Sequence, residues 1–203
     1  MVSSSIITPG LFIDPDSENN LLPESGVEDT FKSLFIKVDN RFWVNKADNS
    51  DGVIRYLDEK DNLIFWGIQE CKLAKTARYL EQLTQSLVYI YLRIKEFPQL
   101  KDTARLVFLP NEKYADIVYI DDIINSDFWW QFCFFYEDHY EKRYISKTGK
   151  TVTKGSASNF YSKSLDVRAL IKDYAPRFRR KHIDFGEEYD FKNIVEDILN
   201  NCL

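Results

Sequence analysis

Cysteine, histidine and long apolar runs are all scarce in this 203-residue chain, and each shortage excludes something. The three cysteines, Cys71, Cys133 and Cys202, are odd in number, far apart and in no C-x-x-C pair, so neither a disulfide framework nor a structural zinc site is indicated. The two histidines, His139 and His182, stand alone in sequence and are expected at the surface, and no Ser-His-Asp or Cys-His constellation can be assembled. No apolar run approaches the roughly 18 residues that cross a bilayer, and residues 1–10 lack a basic stretch followed by an apolar one. A cytoplasmic protein without membrane attachment is expected. Gly149-Lys150-Thr151 imitates the end of a phosphate-binding P-loop, but Tyr144 stands where the first glycine is needed, so the cradle is missing. Thr148-Gly149 reads instead as a hairpin turn.

What is present is a globular composition, 44% hydrophobic and 15% aromatic, long enough to bury a sizeable core. Residues 1–22 mix Ser, Pro, Asp and Asn without periodicity and read as a loosely attached segment; 23–203 read as one domain with a core over 25–120 and an extension over 121–203. The net charge of −5 is unevenly spread. From Glu141 to Lys181 there are 12 basic residues against 3 acids, leaving 15 against 29 elsewhere, so a segment of +9 sits on a body of −14. That distribution suits a polyanionic partner on one surface, or simply a solvated lysine-rich face. Lys147, Lys150, Lys154, Lys163, Arg177, Arg179, Arg180 and Lys181 are the candidate phosphate contacts.

Ser25 and Glu28 have capping-box spacing ahead of Val27, Phe31, Leu34, Phe35 and Val38, which predicts a helix over about 26–38. Val53–Leu57 and Leu63–Ile68 flank the polar turn Asp58–Asn62 and predict an antiparallel hairpin. If Leu57 faces Leu63, Asp51 lies opposite residue 69, beside Glu70, and a one-residue shift in register places it directly across from Glu70. Asp58 and Asp61 lie at the far end. Side chains alternate along a strand, so Glu70 and Lys72 share a face and Cys71 takes the other. The bland reading of this acid and amine is an ion pair where a buried strand meets solvent. After Lys75 the pattern becomes a helix of about 20 residues ending near Pro98, on which Arg78, Gln82, Gln85 and Tyr89 form one polar stripe. Arg105–Leu109 and Tyr114–Ile120 predict two more strands. Phe128–Tyr136, apolar on both faces, predicts a buried strand or a subunit contact. A short helix near Val167–Tyr174 and a terminal amphipathic helix carrying Phe191, Ile194, Val195, Ile198 and Leu199 complete the chain.

Asp51, the hairpin, Glu70-Cys71-Lys72 and Gln85-Ser86-Leu87-Val88-Tyr89 resemble the D…E-x-K…Q-x-x-x-Y series of the PD-(D/E)XK nuclease superfamily, in particular its RecB-like, restriction-enzyme-type domains. The resemblance covers about residues 25–120, and Ser50 stands where the family often has Pro. It implies an α/β fold with an αβββαβ core around a central mixed sheet, and Mg²⁺-dependent (or Mn²⁺-dependent) hydrolysis of DNA phosphodiesters. On that basis Asp51, Glu70 and the backbone carbonyl of Cys71 hold the metal, with Glu28 a candidate extra ligand, Lys72 orients or deprotonates water, and Gln85 and Tyr89 support from the helix. A homodimer or a larger restriction complex fits the same expectation. The alternative is a non-catalytic DNA-binding or assembly module on the same fold.

Overall fold

Six strands form one mixed sheet whose two faces carry separate cores, and the chain order places the sheet's centre beside two long helices. The computed structural model describes residues 5–17, 20–47, 50–140, 143–145, 148–149, 151–153 and 157–203. Helix α1 (Glu24–Val38) is followed by β2 (Phe42–Ala47), β3 (Ser50–Leu57) and β4 (Leu63–Gln69), then α2 (Tyr79–Glu96), β5 (Ala104–Pro110) and β6 (Tyr114–Tyr119). A short β1 (Ile6–Ile7) precedes them. After β6 come α3 (Asp127–Phe135), the hairpin β7 (Arg143–Ile145) and β8 (Thr151–Thr153), α4 (Phe160–Lys163), α5 (Leu165–Tyr174), β9 (Arg180–Asp184), β10 (Tyr189–Asp190) and α6 (Lys192–Cys202).

The sheet order is β2-β3-β4-β5-β6-β9, with β4 and β5 parallel and every other neighbour antiparallel. A parallel step needs a crossover, and α2 supplies it. Period-two alternation then sorts side chains between the faces. Leu106 and Phe108 of β5 join Phe31 and Phe35 of α1 and Ile194 and Ile198 of α6 on one side. Val107 and Leu109 join Leu83, Leu87 and Ile90 of α2, with α3 and α5 beyond, on the other. Gly67 lets β4 approach β5 here: a Cβ on it would lie 2.2 Å from the Leu106 carbonyl oxygen, which no side chain tolerates.

Four expectations need correcting. The N-terminal segment is tied down rather than loose, because β1 pairs with β10, and Ile7 and Phe12 are buried in the α1-side core. The Ser25–Glu28 capping box does not form; α1 starts one residue after Pro23, with no side-chain cap. Phe128–Tyr136 is helical, not a strand: Phe128, Trp129 and Phe132 point inward at helical spacing while Trp130 and Phe134 face out. An unbroken aromatic run satisfies either period, and the preceding Ser126-Asp127 was the helix-start signal to weigh. The segment 121–203 is no appendage, since β9 completes the central sheet and α6 seals the α1-side core. Gly149 does turn the β7–β8 hairpin, at φ +76°. No described helix is long and apolar enough to cross a membrane.

Candidate active site

The site forms at the end of β4, where two irregularities in the ladder set which side chains meet. Leu57 faces Leu63 as expected, but Ile64 is an extra residue on β4, and from Tyr56↔Phe65 to Gly52↔Gln69 the register is shifted by one. Continued by one residue, it brings Asp51 level with Glu70. On the other side of β3, Asp51 and Gly52 together oppose Lys46 of β2 in a β-bulge, a feature that bends a strand and re-aims its side chains. Gly52 suits that position, because a Cβ there would lie 3.0 Å from Val44 Cγ1 and 3.3 Å from Gln69 Cβ. Beyond β4 the chain stays beside β5, with the Glu70 and Lys72 amides donating to the carbonyls of Phe108 and Pro110.

Three carboxylates converge on one ammonium, and a fourth lies beside them. Lys72 Nζ lies 2.9 Å from Glu24 Oε1, 3.0 Å from Glu70 Oε1 and 3.9 Å from Asp51 Oδ2, and donates to the Cys71 carbonyl at 2.8 Å. Asp51 Oδ2 accepts from the Cys71 amide at 2.8 Å. Glu28 reaches in from α1, its Oε2 3.4 Å from Lys46 Nζ, and one oxygen from each of Glu24, Glu28 and Asp51 falls within 4.8 Å of the others. Glu70 is 1% exposed, and its Oε2 has no hydrogen-bond partner. Cys71 points the other way, into the α1-side core.

The electrostatics reflect a surplus of negative charge. Burial, then the neighbouring Asp51, pushes the Glu70 carboxyl up to about 8, against the pull of Lys72. Asp51 is raised by burial, with Lys72 and the Cys71 amide opposing, and Glu28 is raised by burial and by Asp51. Burial works against the charge on Lys72, but Glu70, Glu24 and Asp51 outweigh it and hold the ammonium protonated well above the ordinary lysine range. Lys72 is therefore held as an ammonium, a hydrogen-bond donor.

No protein-family model matches the sequence, and no curated protein or solved structure matches it. What the site can do follows from its donor set. Three hard carboxylate groups and one unsatisfied buried carboxylate oxygen suit a hard divalent cation, and soft or imidazole ligands are absent from the described site.

Gln85 and Tyr89 lie one turn apart on α2, and Gln85 Nε2 donates to the Tyr89 hydroxyl at 3.1 Å. Burial raises the Tyr89 hydroxyl, and the charges of Glu70, Asp51 and Lys72 also act on it, which puts it beside the site. Gln82, a member of the polar stripe but not among the candidate site residues, is buried and donates to the Glu70 carbonyl at 3.4 Å. Glu24 was also missed. Its four-residue spacing from Glu28, one helical turn, was the available signal.

The candidate phosphate contacts are placed differently from a free basic surface. Arg177, Arg179 and Arg180 pair with Asp173, Asp121 and Asp116 at 3.2, 2.8 and 2.7 Å, and Lys181 pairs with Asp197. Asp116 is 2% exposed and also meets His182 Nδ1 at 2.7 Å. Lys163 is exposed at the end of α4. Lys147, Lys150 and Lys154 lie outside the described residues.

Proposed function

We propose that this chain is a Mg²⁺-dependent nuclease that hydrolyses DNA phosphodiesters, built on a restriction-endonuclease-like core. The observation that carries this reading is the convergence of Glu28, Asp51, Glu70 and Lys72 at the end of one strand, with Glu70 Oε2 buried and unpartnered. The order helix, three strands, helix, strand from α1 to β5 supports the same core.

The residues fit a divalent cation. Glu24, Glu28, Asp51 and Glu70 carry four negative charges when ionised, and Lys46 and Lys72 offset two, so the surplus equals the charge of one such ion. Asp51, Glu70 and Glu28 would hold Mg²⁺ (or Mn²⁺), with the Cys71 carbonyl alongside. When bound, the ion supplies a hydroxide at neutral pH and neutralises charge on the phosphate. Lys72 keeps its proton and donates from Nζ to the phosphate oxygen or the attacking water, offsetting the charge that develops there. Glu70 would give up its proton on binding the ion, which makes metal affinity rise with pH near neutrality. Tyr89 and Gln85 fix the helix side of the site, and Gln82 holds the Glu70 backbone.

A restriction or related DNA-processing system is the setting this chemistry suits, alone, as a dimer or in a larger complex. A second reading, a non-catalytic DNA-binding or assembly module, is favoured by the direct Glu70–Lys72 contact at 3.0 Å. Incubation with supercoiled, linear and single-stranded DNA, in Mg²⁺ and in chelator, separates the two. The nuclease cuts only in Mg²⁺, and Lys72→Ala lowers the rate by about 10²- to 10³-fold while the fold and DNA binding persist. Cutting by the variant at the parent's rate removes Lys72 from the mechanism, and no cutting by the parent leaves the module.

A further inference from the structure

The sheet face beneath α2 is only partly covered. α2 packs on β4 and β5. On β2 and β3 the same face opens into a groove of about 600 Å³, within the range of small-ligand sites. Register places Trp43, Arg55 and Trp66 side by side across β2, β3 and β4. Trp66 is buried: its indole N–H donates to the Leu100 carbonyl at 2.7 Å, and the Arg93 guanidinium lies 6.0 Å from its ring centroid. Trp43, on the edge strand, is 54% exposed, and Phe97, closing the groove from the end of α2, is 39% exposed. Leu57 and Leu63 add apolar lining, and Asp61 is the single acid among the described lining residues, against Arg55 and Arg93.

An exposed indole beside two guanidinium groups matches a flat aromatic ring that carries an anion, which is the chemistry of a nucleotide. An apolar ligand would cover both guanidinium groups and add no acceptor for either. A duplex cannot offer the base faces, because they are already stacked. The groove also lies along the path from the catalytic residues: Arg55 is four residues from Asp51 on the same strand, about 13 Å at the usual rise. We propose that this groove holds an unpaired nucleotide of the substrate strand, its base against Trp43 and its phosphate toward Arg55 and Arg93. The substrate class is then single-stranded DNA or duplex with single-stranded ends, and the inference rests on the nuclease reading above.

The test is anisotropy of a labelled oligothymidylate of about ten nucleotides, in chelator so that no strand is cut, with the parent, Trp43→Ala and Trp43→Phe, beside labelled duplex DNA and competing thymidine monophosphate. Melting curves confirm that the variants fold, as an exposed edge-strand side chain allows. The parent binds the oligomer, Trp43→Ala binds it about tenfold more weakly, the factor for one lost stacked base, and Trp43→Phe retains most of the affinity. Duplex binding is unchanged by either substitution. The proposal is overturned if the parent does not bind the oligomer, if Trp43→Ala binds it as the parent does, or if the mononucleotide binds as tightly as the oligomer. Plasmid cleavage in Mg²⁺ is scored separately. Cutting with oligomer binding that ignores Trp43 sinks the groove alone, whereas Trp43-dependent binding without cutting sinks the nuclease reading alone.

Discussion

At the residue scale, Glu70 ties the site to the stability of the fold. Its folded-state pKa of about 8 lies above the 4.5 of an unperturbed glutamate. An acid shifted this way holds its proton more tightly in the fold than in the unfolded chain. The stabilisation is therefore fully present below 4.5 and is lost as pH rises through 8. The metal-free protein should melt at progressively lower temperature between pH 5 and 8 or so, and Glu70→Gln, which stays neutral, should flatten that slope. Added Mg²⁺ should restore the parent's melting temperature at pH 8 and not the variant's to the same degree. A parent whose melting temperature is flat over this range would remove Glu70 as the buried, proton-holding acid. The alternation of side chains made Glu70 and Lys72 neighbours readable from sequence. The stripe on α2 already held Gln82, but Glu24 was not readable, because its role depends on how α1 is oriented over the end of β4, and helical spacing leaves that orientation open.

At the scale of elements, the ladder is tuned by single residues that pattern analysis cannot rank. Gly67 looks like any glycine in a strand, yet the space beside it is filled by the Leu106 backbone. Gly67→Ala should cost about 3 kcal/mol or more, or prevent folding, because backbone and not a flexible side chain would have to move. Urea denaturation reads this directly, and a loss under about 1 kcal/mol would mean the strands part more easily than their packing indicates. The extra residue at Ile64 and the bulge at Asp51-Gly52 are of the same kind. The hairpin was legible, and so was its turn, but which of two registers it adopts was left open and was settled by one unpaired residue. The strand Phe42–Ala47 was missed altogether, although Phe42 and Val44 face the α1-side core while Trp43 stands exposed. A six-residue edge strand gives too short a pattern to separate from a loop.

At the scale of the whole molecule, the +9 segment does not stay a patch of free charge. Arg177, Arg179, Arg180 and Lys181 meet acids from α5, the loop after β6, β6 itself and α6. Their energetic weights should differ. Arg177 and Asp173 are both well exposed, so Arg177→Ala should shift stability by less than about 0.5 kcal/mol. Arg180 is two-thirds covered and serves the buried Asp116, so Arg180→Ala should cost about 2 kcal/mol by leaving that carboxylate with His182 alone. Equal effects in chemical denaturation would show that burial of Asp116 does not govern the pair. Any DNA affinity should fall with salt less steeply than eight free cations would give, since four of them already have partners.

Composition and the two periodicities determined that this chain forms a hairpin and further strands among long helices, and placed Asp51, Glu70 and Lys72 together, because alternation and helical spacing act over a few residues; the mixed sheet was only what the resemblance implied. Only the tertiary structure decided that α1 brings Glu24 and Glu28 to the same site, that β9 and α6 complete the fold, that the aromatic run 128–136 is helical, and that an exposed tryptophan and two arginines line one groove. Those outcomes are set by contacts between residues far apart in sequence, where the competing arrangements differ in packing and desolvation and not in any local pattern.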